Sequence, residues 1–159
     1  MTNQPTYDDA NLLLRLYELR REDKLRAARE WFMQGLKTPA KVEDLMAQCP
    51  QGSENNARYR MVTSYWDMVA SFIACGVLNQ ELALENSGEL LFVWTKIKDV
   101  VPAVREFFKN PKYLANLEKV ANVAIERINQ GNPEAYATFA ERIVKGLETA
   151  GTAKAGVQS

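Results

Sequence analysis

SENNARYRMVTSYWDMVASFIACG, running from Ser53 to Gly76, decides the fold. Val62, Tyr65, Trp66, Val69, Phe72 and Ile73 recur at steps of three and four, the spacing that gathers side chains on one face of a helix. Ser53 supplies a side-chain oxygen where a helix start needs an acceptor for its free amides. Gly76 supplies the residue type that most readily turns left-handed at a helix end. A helix carrying this much aromatic and aliphatic surface requires packing partners, so it is expected to be the central core helix. Asn79, three residues past the glycine, is expected to cap the next helix and close a tight helical hairpin at Gly76-Val77-Leu78-Asn79.

Working outward toward the amino terminus, Thr6 and Asp9 have the spacing of a capping box, and Leu12, Leu13, Leu16 and Tyr17 follow on one side of a first helix. Leu25, Ala28, Phe32 and Leu36 mark a second, with Trp31 beside them. Thr38-Pro39 predicts the start of a short third helix carrying Val42, Leu45 and Met46, which stops before Cys49-Pro50. Toward the carboxyl terminus, Leu90 to Trp94 is apolar all round and belongs in the interior, continuing through Ile97, Val101 and Val104. Pro102 either kinks this helix or opens a new one capped by Asp99; the latter is preferred, because a proline in a helix interior forfeits a backbone donor. Asn110-Pro111 predicts a further start, with Leu114, Leu117, Ala121, Ala124 and Ile128 in near-heptad register and a stop at Gly131. Asn132-Pro133 caps a last helix bearing Tyr136, Phe139, Ala140, Ile143 and Leu147. The expected architecture is all-α: a single-domain helical bundle of about six to eight helices over residues 1–150, with 151–159 as a disordered tail. No fixed-period repeat is visible.

The chain has 159 residues, 47% apolar and 25% charged, proportions of one ordinary globular domain. Twenty Lys and Arg balance twenty Asp and Glu, so the long-range positive field that captures nucleic acid or anionic membrane is missing. No nucleic-acid partner and no membrane span are expected, and the lack of a charged start followed by an apolar run points to a cytoplasmic protein. Cys49 and Cys75 lack a CxxC spacing and read as ordinary reduced thiols, giving no metal site.

Histidine is absent, which removes Ser-His-Asp and Cys-His nucleophile pairs and the Glu-x-x-His ligands of di-iron bundles. Catalysis would have to rest on carboxylates, lysine, tyrosine or arginine. Glu81, Glu85 and Glu89 at four-residue steps share a helix face, either as acid-base or cation ligands or as a solvated surface; the solvated surface is the commoner meaning of such a run. Arg20, Arg21, Lys24, Arg26 and Arg29 form the densest basic cluster, suited to an anion. Pairing of Glu22 with Arg26 and of Arg26 with Glu30 along the helix competes with that role. Arg58, Arg60 and Asp67 are the candidate ligand-binding residues: Arg60, Ser64 and Asp67 lie opposite Val62, Trp66 and Val69, either lining a polar cleft or forming the wet side of the helix. Trp31, Trp66 and Trp94 read first as core residues.

Taken together, Arg20-Arg21 through Trp31-Phe32, the Tyr65-Trp66-Asp67 helix, the Gly76-Val77-Leu78-Asn79 turn and the Trp94 helix resemble an uncharacterised bacterial family of small all-helical proteins, a domain of unknown function, over about Tyr7 to Phe108. The resemblance implies an arginine-rich first hairpin, an aromatic-acidic central helix and a later tryptophan. It implies no catalytic residue. Some members carry an amino-terminal membrane segment that is not read in this sequence. The functional expectation is a non-catalytic protein-interaction or homo-oligomerising protein, with a small-ligand or anion binder using Arg58, Arg60 and Asp67 as the alternative. No cofactor and no catalytic residue are expected, and enzyme activity is disfavoured because nucleophile, phosphate-loop and cofactor signatures are all missing.

Overall fold

The computed structural model describes the backbone of residues 3–155 and the side chains of residues 3–146. Nine helices and no strand occur among the described residues: α1 (Tyr7–Arg20), α2 (Asp23–Gln34), α3 (Val42–Gln48), α4 (Glu54–Ala74), α5 (Gln80–Asn86), α6 (Gly88–Ile97), α7 (Val101–Phe107), α8 (Ala115–Gly131) and α9 (Ala135–Ala155). α4 is the axis of the molecule. It packs most extensively on α8 and α2, while α6 lies against α8 and α9, α1 rests on α2 and α5, and α3 meets α7.

The central helix forms as its periodicity requires. Ser53 Oγ accepts the Asn56 amide at 3.1 Å, Val62, Tyr65, Trp66, Val69 and Ile73 are buried, and Gly76 ends the helix at φ +80. Asn79 Oδ1 then accepts the Leu82 amide at 2.9 Å, the hairpin expected from four consecutive residues. At the other end of the chain, Thr6 and Asp9 form a complete capping box. Trp66 and Trp94 are buried, and Trp31 is half-buried against the same core.

The helix count exceeds the expected range by one. Ser87 at φ −127, ψ 46 leaves helical geometry and divides α5 from α6 within a stretch that the Glu81-Glu85-Glu89 spacing reads as one helix. Three starts lie downstream of their expected positions, among them α9, which begins at Ala135 and not directly after Asn132. α3 begins at Val42, with the Lys41 amide held by Asp44 at 3.1 Å, leaving Thr38-Pro39 in the irregular connection from α2. α8 begins at Ala115 because Leu114 takes a left-handed conformation, φ 52, and the Leu117 amide is received by Asp67 Oδ1 at 2.9 Å from the adjacent α4. Pro102 does open a new helix, α7, whose cap position is Val100 and not Asp99. α9 keeps helical backbone to Ala155, so the expected tail overlaps its last residues, while 156–159 lie outside the described residues.

Candidate functional site

Where the chain places its charged side chains differs from what local spacing suggests. Arg20 and Arg29 do not pair along their own helices; both reach Glu89 on α6. Arg20 Nη2 lies 2.5 Å and Arg29 Nη2 2.6 Å from Glu89 Oε2, and Arg29 Nε donates to Oε1 at 2.7 Å. Trp66 Nε1 donates to the same carboxylate at 3.3 Å, and the Arg20 guanidinium stands 5.3 Å from both the Tyr17 and Trp66 rings. The Glu89 side chain is only 7% exposed. Burial pushes its pKa up, but hydrogen bonds from Arg29 and the two guanidinium charges outweigh burial and hold it below the ordinary carboxylate value. Glu89 therefore belongs to the interior, whereas Glu81 and Glu85 remain at the surface and share Arg127 at 2.7 and 3.3 Å.

A second buried ionisable group sits two turns further along α6. Lys96, 1% exposed, donates from Nζ to the carbonyls of Phe32 and Met33, the latter at 3.0 Å. These are last-turn carbonyls of α2, which carry the negative end of the helix dipole and lack intrahelical donors. Burial pushes the amine down to about 7. An amine so enclosed, with its protons directed into α2, has no route to a substrate; its geometry is that of a helix cap.

The three expected ligand-binding residues separate into different roles. Arg58 donates to Glu54 at 2.8 Å and to Asn55 at 3.2 Å. Asp67 uses one oxygen to cap α8. Arg60 makes no ion pair among the described residues. Arg60, Ser64 and Asp67 do line one shallow groove, with Asn110, Lys112 and Tyr113 on its far side; Arg58 does not reach it.

On the other side of Arg60 lies a cleft of about 740 Å³ between α3, the start of α4, α7 and the connection to α8. Its walls include Leu45, Met46, Cys49, Val104 and Phe108, and its floor holds Tyr59 and Tyr113, whose hydroxyls are 2.8 Å apart. Burial, with the neighbouring phenol, raises the Tyr59 pKa, and burial alone pushes the Cys49 thiol up to about 11, so neither group ionises near neutrality. Cys75 is exposed and both thiols are free. The 108–114 connection, which supplies Phe108, Asn110 and Tyr113 to the cleft, contains two non-glycine residues in left-handed geometry, Lys109 (φ 53) and Leu114 (φ 52). Sequence reasoning identified Arg60 but missed this cleft, because its walls come from four separate segments.

A further surface feature concerns α1. Tyr7, Leu14 and Tyr17 are 81%, 63% and 48% exposed and fall on one side of the helix, beside a groove of about 350 Å³ reaching down to Trp66 and Val69. No described helix is long and apolar enough to cross a membrane.

No curated protein and no solved structure matches the chain. The family model that does match covers residues 5–124, from the α1 capping box through the Glu89 cluster and the cleft into the middle of α8. The chain accordingly belongs to the family described as a domain of unknown function, DUF4760.

Proposed function

We propose that this protein is a non-catalytic helical interaction protein that pairs with a second copy of itself through the outer face of α1. The observation that carries this reading is the exposed stripe of Tyr7, Leu14 and Tyr17, ended by opposite charges: Asp8 in the first turn and Arg21 just past the last. Positions 7, 14, 17 and 21 share a heptad seam, and Leu14 lies at the midpoint between Tyr7 and Arg21. Antiparallel pairing about a two-fold axis at Leu14 sets each Leu14 against its own copy and lays the acidic start of one helix along the basic end of the other. Arg21 already stands 4.9 Å from the Tyr17 ring, stiffening that end of the seam. The groove beside Leu14 and Tyr17 offers room for an aromatic side chain from the second copy. Contiguous exposed apolar surface of this kind marks association sites more often than it decorates a monomer.

The partner is thus protein, in keeping with a balanced charge that gives nucleic acid no field to follow. Two free thiols suit a reducing compartment, and the cytoplasm is the location we propose. Sedimentation should detect a dimer that Leu14→Glu abolishes, since two carboxylates would then face one another across the axis. Asp8→Arg and Arg21→Asp should each weaken it, and the double exchange should restore it. A wild-type protein that remains monomeric at about 100 μM, where association of about −5.5 kcal/mol would be visible, sinks this reading.

Small-ligand binding is a second reading, favoured by one observation: Arg60, alone of the three expected residues, presents a guanidinium with no ion-pair partner among the described residues.

A further inference from the structure

We infer that the cleft between α3, α4 and α7 binds a small amphipathic carboxylate, its apolar body against Leu45, Val104 and Phe108 and its carboxylate on Arg60. The inference rests on the ligand-binding reading of Arg60 and is independent of pairing through α1, none of whose residues lines the cleft.

Size comes first. A volume of about 740 Å³ falls within the roughly 300–1,000 Å³ of small-molecule sites, far above what a few trapped waters need. Chemistry narrows the class. The walls are mainly aliphatic and aromatic, and the two hydroxyls on the floor are joined by one hydrogen bond at 2.8 Å, so the interior chiefly rewards an apolar body. Among the described residues that line the cleft, Arg60 carries the only charge; no Asp or Glu stands there to neutralise it or to attract a cation. In a chain with twenty charges of each sign, a mouth holding one unpaired guanidinium has a definite polarity. A planar guanidinium suits a carboxylate, which it can engage through two parallel hydrogen bonds. A doubly charged or wholly polar anion would waste the apolar walls, and an uncharged hydrocarbon would leave the arginine unused. The two left-handed residues of the 108–114 connection, Lys109 and Leu114, hold Asn110 and Tyr113 at the cleft in a conformation that costs about 1–2 kcal/mol per residue for side chains with a Cβ.

The test compares four probes below their micellar range: octanoate, octanol, octylammonium and inorganic phosphate, each titrated by calorimetry and by amide chemical shifts. Octanoate should bind best, with shifts centred on Leu45, Tyr59, Val104 and Tyr113. Arg60→Glu should weaken octanoate at least tenfold and improve octylammonium. Ala57→Trp, which projects an indole into the mouth from an exposed position on α4, should weaken all three octyl probes. Octanol binding as tightly as octanoate, or octanoate indifferent to Arg60→Glu, overturns the assignment of the carboxylate to Arg60. Octanoate that still binds in Ala57→Trp, or that does not bind the wild type, overturns the cleft as its site. Phosphate binding lost in Arg60→Glu, without octanoate binding, would overturn the amphiphile while leaving a purely polar anion site at Arg60.

Discussion

Gly76 stands at φ +80 with nothing within 4 Å of the position a Cβ would take, so any substitution there is opposed by backbone conformation alone. Gly76→Val should cost about 1–2 kcal/mol, the penalty for a β-branched residue in left-handed geometry, read as a lower melting temperature by calorimetry. Gly76→Asn should recover part of the loss, because Asn tolerates this region better; a valine variant as stable as wild type would place the turn elsewhere. This residue was legible in sequence, as were Ser53, Asn79, Thr6 and the capping role of Asp9, because a cap and the amide it serves lie three residues apart. Asp9 nevertheless does more than its capping box implies. Its second oxygen accepts the Asn79 amide at 2.7 Å and ties the start of α1 to the start of α5. The Thr6 backbone amide, followed by that of Asn79, holds its carboxyl below the ordinary value.

The ends of α2 and α8 are completed by side chains from other helices. Lys96 of α6 closes α2, and Asp67 of α4 opens α8, the first an amine donating to free carbonyls at a carboxyl end and the second a carboxyl oxygen accepting a free amide at an amino end. Lys96 gives this arrangement a pH signature. Its amine titrates at about 7 when folded and near 10.5 otherwise, so between those values the unfolded chain binds the extra proton and stability rises with pH. Below pH 7 both states are protonated and the dependence vanishes. Chemical denaturation between pH 7 and 8, where thiols and tyrosines are still largely protonated in both states, should show a rising midpoint for wild type and a smaller rise for Lys96→Met. Equal slopes would mean that Lys96 stays charged in the folded state. Lys96 follows a run apolar on all sides, and its burial is unreadable without knowing that two carbonyls of α2 end beside it.

For the molecule as a whole, Glu89 is the point at which α1, α2, α4 and α6 are fastened together. Removing one partner of a buried ion pair leaves the others uncompensated, which typically costs about 3–5 kcal/mol, and Glu89→Gln would strand two guanidinium groups around a neutral amide. We expect a loss in that range by urea denaturation, with α1 protecting its amides less well in hydrogen exchange. The sign with pH follows from the depressed folded pKa. The contribution is present above the ordinary value of 4.5 and is lost as pH falls through the folded value, so the gap between wild type and Glu89→Gln should narrow on acidification below about pH 4.5. A variant within 1 kcal/mol of wild type at pH 7 would show that the cluster does not fasten the bundle. Glu89 shares its four-residue spacing with Glu81 and Glu85, and nothing in that spacing distinguishes it; the break at Ser87 places it on a different helix, facing inward.

By itself the sequence determined that this protein is helical, where most of its helices begin and end, and which face of the central helices is buried, because those properties depend on residues within a turn or two of one another. Only the tertiary structure decided what the charges and cavities do. Glu89 meets Arg29 across 60 residues and Arg20 across 69, Asp67 meets Leu117 across 50, and Lys96 meets Met33 across 63. Such pairings are set by how the apolar faces of α2, α4, α6 and α8 stack, and many partners satisfy the same local spacing equally well. Arg60 shows the limit most plainly: the helix places it on the polar side of α4, but its lack of an ion-pair partner beside an apolar cleft arises only when α3, α7 and the 108–114 connection close around it.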